Sequence, residues 1–179
     1  MNIFFIEAPN PIDRVKSCTE SEGICSLGTM FGHSVATFSV MSSSELTTTI
    51  EYLSTITKNQ ITENLVVHIS CHGNDDGLGI GKDFLSWKEI GVVLVPLLKK
   101  QFKNKLLLCL SSCGTSNQKI TNSFNNLPEK MRSKIAPPEF LFLFDQDTVD
   151  WDDALISWGL LYHQLGKLDN VTLSKSELI

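Results

Sequence analysis

No stretch of this 179-residue chain approaches the roughly 18 consecutive apolar residues that a membrane-crossing helix needs, so a membrane partner is not expected. The apolar start, Met1-Asn2-Ile3-Phe4-Phe5-Ile6, is too short for a signal peptide, lacks a basic lead and is cut off by Glu7. Cysteine is scarce and odd in number: Cys18, Cys25, Cys71, Cys109 and Cys113 do not make the even, spaced set of a small secreted disulfide framework. Excess positive charge is missing too. Lys and Arg number 15 against 20 Asp and Glu, a net charge of −5, which speaks against direct nucleic-acid binding and favours a basic partner or substrate. Internal repeats and linker-like stretches are also lacking. What remains is a reduced, cytoplasmic, single-domain protein spanning 1–179, long enough to bury roughly 70% of its unfolded surface.

Short runs rich in β-branched, aromatic and leucine residues predict strands over Asn2 to Ala8, Ser34 to Val40, Leu65 to Ser70, Lys105 to Ser111 and Glu139 to Phe144. Helical spacing appears between them. Ser44 to Thr57 carries Leu46, Ile50 and Leu53, and Ser86 to Lys100 opens on a capping box, Ser86-Trp87-Lys88-Glu89, with Pro96 expected to kink it. A last helix is predicted from Asp150 as N-cap to Gly166, with Trp151, Ala154, Leu155, Trp158, Leu161, Tyr162 and Leu165 on one face. Strand and helix alternate, so the expected fold is α/β with a mostly parallel central sheet covered on both faces. Two segments are less regular. Pro9 to His33 shows only a weak helical pattern around Ile24 to Phe31. Gly114 to Pro138, with Ile120, Phe124 and Leu127 hinting at a short helix, is expected to be exposed and mobile.

His72 and Cys113 each follow a run of buried-strand character. If those strands are parallel neighbours, imidazole and thiol converge at the C-terminal sheet edge, where open α/β folds place ligands. Glycine follows each of them, at Gly73 and Gly114, allowing close backbone approach, and the N–H groups of Gly73 and Cys113 are candidates for an oxyanion hole. Asp145 and Asp147 follow the last strand and would sit at the same edge as substrate-binding acids for a basic side chain.

The order Val67-His68-Ile69-Ser70-Cys71-His72-Gly73, then Gly77-Leu78-Gly79-Ile80, then Leu85-Ser86-Trp87, then Leu106 to Ser112 leading into Cys113, resembles caspase-like cysteine peptidases of the CHAT and separase type. The likeness covers roughly Asn64 to Gly166. It implies a caspase-like three-layer sandwich, His72 as general acid and base, Cys113 as nucleophile, and Gly73 in the oxyanion hole. It further implies an endopeptidase that needs no cofactor, acts on a protein substrate, and serves as a regulated switch of the bacterial defence or cell-death kind, with a regulatory protein partner as one trigger. The Gly114 to Pro138 connection is the expected control point.

Rival readings come from other classes. The chain could be a catalytically silent caspase-like interaction module that requires a partner, or an unrelated doubly wound domain binding a small anionic ligand at the same edge. A zinc set of His68, Cys71, His72, Cys109 and Cys113 is disfavoured because no Cys-x-x-Cys or paired-ligand spacing occurs and alternation turns Cys71 away from His68 and His72; no metal is expected. Gly77-Leu78-Gly79-Ile80-Gly81-Lys82 lacks the spacing of a phosphate loop and reads as a hairpin. His33 and His163 are expected on the surface or a helix face, and Trp87, Trp151 and Trp158 in the core.

Overall fold

The computed structural model describes residues 1–16, 19–56, 64–115, 117–144 and 148–168. Its elements, in chain order, are β1 (Asn2–Ala8), α1 (Pro11–Lys16), α2 (Ser21–Met30), β2 (Ser34–Ser39), α3 (Ser43–Thr55), β3 (Leu65–Asn74), β4 (Gly77–Ile80), β5 (Asp83–Ser86), α4 (Trp87–Leu94), β6 (Leu106–Ser111), α5 (Asn117–Asn125), α6 (Glu129–Arg132), β7 (Phe140–Leu143) and α7 (Trp151–Lys167). Five strands pair in parallel in the order β2-β1-β3-β6-β7. The far end of β3 leaves that sheet and pairs antiparallel with β4, which pairs with β5. The fold is the expected α/β three-layer sandwich. Among the described residues, no helix is long and apolar enough to cross a membrane.

Alternation along the central strands divides the core in two. Ile6, Val67, Ile69, Leu108 and Leu110 face one layer, where they meet Leu46, Ile50 and Leu53 of α3, Ile90 and Leu94 of α4 and Ile120 of α5. Ile3, Phe5, Val66, Leu107 and Cys109 face the other, against Ile24 of α2 and Ala154, Trp158, Tyr162 and Leu165 of α7. Residues that continue the second parity toward the strand ends, Glu7, His68, Ser70 and Ser111, are polar and buried. The sheet therefore carries a polar patch beneath α2 and α7, close to its C-terminal edge.

Local signals account for several boundaries. Ser86 and Glu89 form the predicted capping box, Glu89 Oε2 accepting the Ser86 N–H at 2.8 Å. The helix stops at Leu94 and passes into a 3₁₀ turn, Val95–Leu98, where Pro96 cannot supply the N–H that α-helical pairing needs. Asp150 occupies the N-cap position of α7, but its side chain does not cap; it shares the exposed helix start with Asp152 and Asp153. The expected hairpin is β4–β5, turning at Gly81 with φ +58°.

Three expectations change. The Gly114 to Pro138 segment is not simply exposed: Ile120 is fully buried, Leu127 nearly so, and Ser123 packs where a Cβ on Gly91 of α4 would meet its side chain at 2.9 Å. Thr121, Asn122, Asn125 and Asn126 face solvent, as do the basic residues Lys130, Arg132 and Lys134. His33 is buried, its Nε2 2.8 Å from the Tyr162 carbonyl oxygen. The weak helical pattern before it resolves into α1 and α2. Helix α2 has no side-chain cap of its own; Glu7, at the end of β1, accepts the N–H groups of Glu20 and Ser21 at 2.7 and 3.1 Å. A carboxylate at a helix N-terminus meets orphan donors and the positive end of the dipole.

Candidate active site

The parallel ladder of β3 and β6 ends with Ser70 opposite Ser111. Continued by two residues, that register sets His72 opposite Cys113, both of the parity that faces α2 and α7. The two side chains line one cavity of about 250 Å³, with Glu20, Cys71, Ser111, Ser112 and the start of α7, Thr148 to Trp151 and Ala154. Backbone contact holds the two strand exits together. A Cβ on Gly73 would lie 2.1 Å from Ser112 Oγ and 2.6 Å from the Cys113 carbonyl oxygen, and one on Gly114, which has φ +63°, would lie 2.7 Å from the Asn74 carbonyl carbon. Both positions require glycine, the second for its dihedral as well as its space.

His72 is half-exposed and hydrogen-bonded through Nε2 to Asp13 Oδ2 at 2.6 Å. Asp13 is fixed in turn. Asn10 Oδ1 accepts the N–H groups of Ile12 and Asp13 at 2.8 and 3.0 Å, and Asp13 Oδ2 accepts the Asn10 N–H at 3.1 Å. This is a reciprocal cap on α1 in which the carboxylate also holds the imidazole. The Asn10-Pro11-Ile12-Asp13 pattern, a cap residue, a proline at the first helical position and an acid two residues on, is a readable helix start that sequence reasoning passed over. Trp151, expected in the core, instead stands edge-on to His72 with ring centroids 5.7 Å apart and walls the cavity.

Cys113 places its sulfur against the backbone of residue 149, accepting the Val149 N–H at 3.4 Å, with the Val149 carbonyl oxygen at 3.9 Å. The thiol and the imidazole thus share a cavity while their hydrogen bonds go to other groups. Cys71 and Cys109 are core residues whose thiols burial pushes up to about 12, which keeps them protonated at neutral pH. Asp145 and Asp147 lie outside the described residues.

Beneath the cavity lies a buried polar cluster absent from the sequence reading. Glu20 is 1% exposed; its Oε1 accepts the Ser111 hydroxyl at 2.9 Å, and Oε2 has no hydrogen-bond partner. Desolvation lifts its pKa from 4.5 to about 7, opposed by the hydroxyls of Ser111 and Ser70 and reinforced by the charge of Glu7. Ser70 faces the carboxylate without reaching good hydrogen-bond geometry. Trp158 Nε1 donates to Ser111 Oγ at 2.9 Å, closing the set on the α7 side. His68, wholly buried, has Nδ1 2.5 Å from the Tyr162 hydroxyl and Nε2 3.9 Å from Glu20 Oε2. Packed by Phe5 and Trp158 at 4.6 Å each, it is lowered by burial from 6.5 to about 3 and stays neutral. A lone glutamate at residue 20, in a stretch without clear periodicity, gave no signal that it would be carried under the sheet edge.

Neither a protein-family model nor a curated protein sequence matches this chain.

Proposed function

We propose that this protein is a cysteine endopeptidase in which Cys113 is the nucleophile and His72 handles protons. The observation that carries the reading is the three-part arrangement of a thiol, an imidazole lining the same cavity, and a carboxylate, Asp13, that holds the imidazole. Nucleophile, base and orienting group is the general plan of covalent acyl transfer. With Nε2 engaged by Asp13, Nδ1 is the nitrogen left for the reaction. The Cys113 sulfur attacks the substrate carbonyl as its proton passes to His72; the C–N bond then breaks, His72 returns the proton to the leaving amine, and an acyl-enzyme remains. Water, deprotonated by His72, cleaves the thioester and releases the acid. The N–H groups of Gly73 and Cys113 are the proposed oxyanion donors, consistent with the close approach at Gly73. No step calls for a metal or cofactor. The motif order that resembles CHAT and separase peptidases and the three-layer fold support the same reading.

A second reading draws on the engagement of the Cys113 sulfur by Val149 rather than by His72. In that reading the chain is a caspase-like module whose site is assembled only with a partner, the regulated switch expected from the resemblance. One experiment separates them. Purified chain is offered a peptide library, alone and with candidate partners, beside Cys113→Ala and His72→Ala. Cleavage by the lone chain that both substitutions abolish supports the peptidase. Cleavage only with a partner supports the assembled switch. No cleavage, together with no His72-dependent alkylation of Cys113, removes both.

A further inference from the structure

We propose that Lys119 is a positioning residue for Cys113, its ammonium clamping the turn that carries the nucleophile onto the β3–β4 hairpin. The catalytic meaning of the clamp rests on the peptidase reading, whereas the clamp itself stands on hydrogen bonds. Lys119 Nζ donates to the Gly114 carbonyl oxygen at 2.8 Å and, from the same atom, pairs with Asp75 Oδ1. Gly114 follows the nucleophile directly, and Asp75 lies in the turn between β3 and β4. One side chain therefore ties the exit of β6 to the exit of β3, beyond their last ladder pair, Ser70 with Ser111.

Both ends of the clamp are firmly mounted. Lys119 belongs to α5, whose next residue, Ile120, is fully buried in the core, and its own carbonyl accepts the Ser123 hydroxyl at 3.0 Å. On the hairpin side, Trp87 Nε1 donates to the Asp75 carbonyl oxygen at 3.0 Å and the Trp87 N–H to that of Asp76 at 3.2 Å, which fixes the turn to the start of α4. The Asp75 side chain is 85% exposed, and an ion pair of that kind by itself contributes little stability. What sets Lys119 apart is its second contact, a charge-assisted hydrogen bond to the backbone carbonyl of the residue next to Cys113. On the other flank the same turn is held by Thr115, which is buried and donates its hydroxyl to the Phe144 carbonyl oxygen at 2.5 Å. Between these anchors sits Gly114 at φ +63°, a residue with no side chain to limit rotation of its peptides. Loss of one anchor lets the turn shift and the sulfur shift with it, and a displacement of about 1 Å at a reacting atom costs about 10²-fold in rate. Lys119 does not line the cavity, so its effect reaches the reaction through Cys113.

The test compares the full chain with Lys119→Met, Lys119→Arg and Asp75→Asn on a peptide cleaved in the library screen, in whichever state, alone or with a partner, wild type cleaves it. Lys119→Met should lower kcat about 10- to 100-fold with KM within about twofold of wild type, because the thiol is displaced while the cavity walls are untouched. Lys119→Arg keeps the charge and the donors and should recover most of the loss. Asp75→Asn should fall between, with small changes in melting temperature throughout. A kcat of Lys119→Met within about twofold of wild type overturns the proposal, as does Lys119→Arg no better than Lys119→Met, or a loss confined to KM. If Lys119→Met does not fold, Asp75→Asn decides: a lowered kcat at unchanged KM sustains the clamp, and a wild-type kcat overturns it. If no state of wild type cleaves a peptide, turnover bears on the peptidase reading alone, and amide exchange of Gly114 and Thr115 decides the clamp. Exchange at least about 5-fold faster in Lys119→Met, with Leu106 to Ser111 unchanged, sustains it; equal exchange overturns it.

Discussion

Replacing Glu20 by Gln should make the protein more stable, and by an amount that depends on pH. The amide keeps the shape of the protonated carboxyl and can still accept the Ser111 hydroxyl, but it has no proton to lose. Below pH 4.5 the wild-type carboxyl is protonated in folded and unfolded chains alike, so the two proteins should differ little. Between pH 4.5 and about 7 the unfolded chain ionises while the folded one holds its proton, and wild-type stability declines as pH rises. Above pH 7 the deficit is complete. The gap between 4.5 and about 7, at about 1.4 kcal/mol per pH unit, corresponds to roughly 3 kcal/mol. For a chain of this length that is a melting-temperature difference of roughly 10 °C. At pH 5 it should be under about 1 kcal/mol. The titratable groups around Glu20 are Glu7 from β1, His68 and Cys71 from β3 and Tyr162 from α7, with the hydroxyls of Ser70 and Ser111 beside it. His68 titrates in the opposite sense, its stability contribution being lost as pH falls from 6.5 toward about 3, but it is common to both proteins and largely cancels in their difference. Melting curves from pH 5 to pH 8.5 provide the measurement. A gap that does not widen with pH, or a less stable variant at pH 8, would refute the assignment of an unpaired buried charge.

Other outcomes are expected at the site and beneath it. Asp13→Asn should lower kcat about 10- to 100-fold with little change in KM and should shift the pH profile, because the carboxylate acts through the orientation of His72. Gly73→Ala should cost about 10²-fold in turnover, since its Cβ has to displace Ser112 Oγ and the Cys113 carbonyl, a movement on the scale of an ångström. Iodoacetamide at neutral pH should modify Cys113 in preference to Cys71 and Cys109, whose thiols burial keeps protonated; mass spectrometry of the folded protein checks the order. Tyr162→Phe should destabilise by about 1–3 kcal/mol in urea unfolding, because it strands His68 Nδ1 in a dry core.

The central strands β1, β3 and β6 were legible because they are largely buried on both faces and their apolar runs leave little room for another reading. Asn2 to Ala8 matches β1 residue for residue, and the C-terminal stripe of α7 places Ala154, Trp158, Tyr162 and Leu165 in the core as its spacing predicted. The continuation of β3 through His72, Gly73 and Asn74 was not visible, because those polar residues pair with a hairpin and not with the apolar sheet. Helix α2 was faint for a different reason: the group that caps it comes from β1, and no local pattern records a cap delivered through tertiary structure. The same limit explains the site. His72 and Cys113 announced themselves by following strands, whereas Glu20 acquires its role only once α2 is laid across the ends of β3 and β6.

The two reacting groups are held by unequal mountings. His72 lies within a ten-residue strand that is laddered to β1 and β6 along its first part and to β4 at His72 itself, so the imidazole's backbone is continuous with the rigid centre of the protein. Cys113 stands beyond the last ladder pair of β6, followed at once by Gly114 in the left-handed region. Any rearrangement that frees the sulfur from Val149 therefore belongs to the cysteine side, with the histidine serving as a fixed anvil. Exchange of the backbone amides should show this asymmetry directly, slow through Leu65 to His72 and faster from Cys113 onward, with an inhibitor bound at the thiol slowing only the second group.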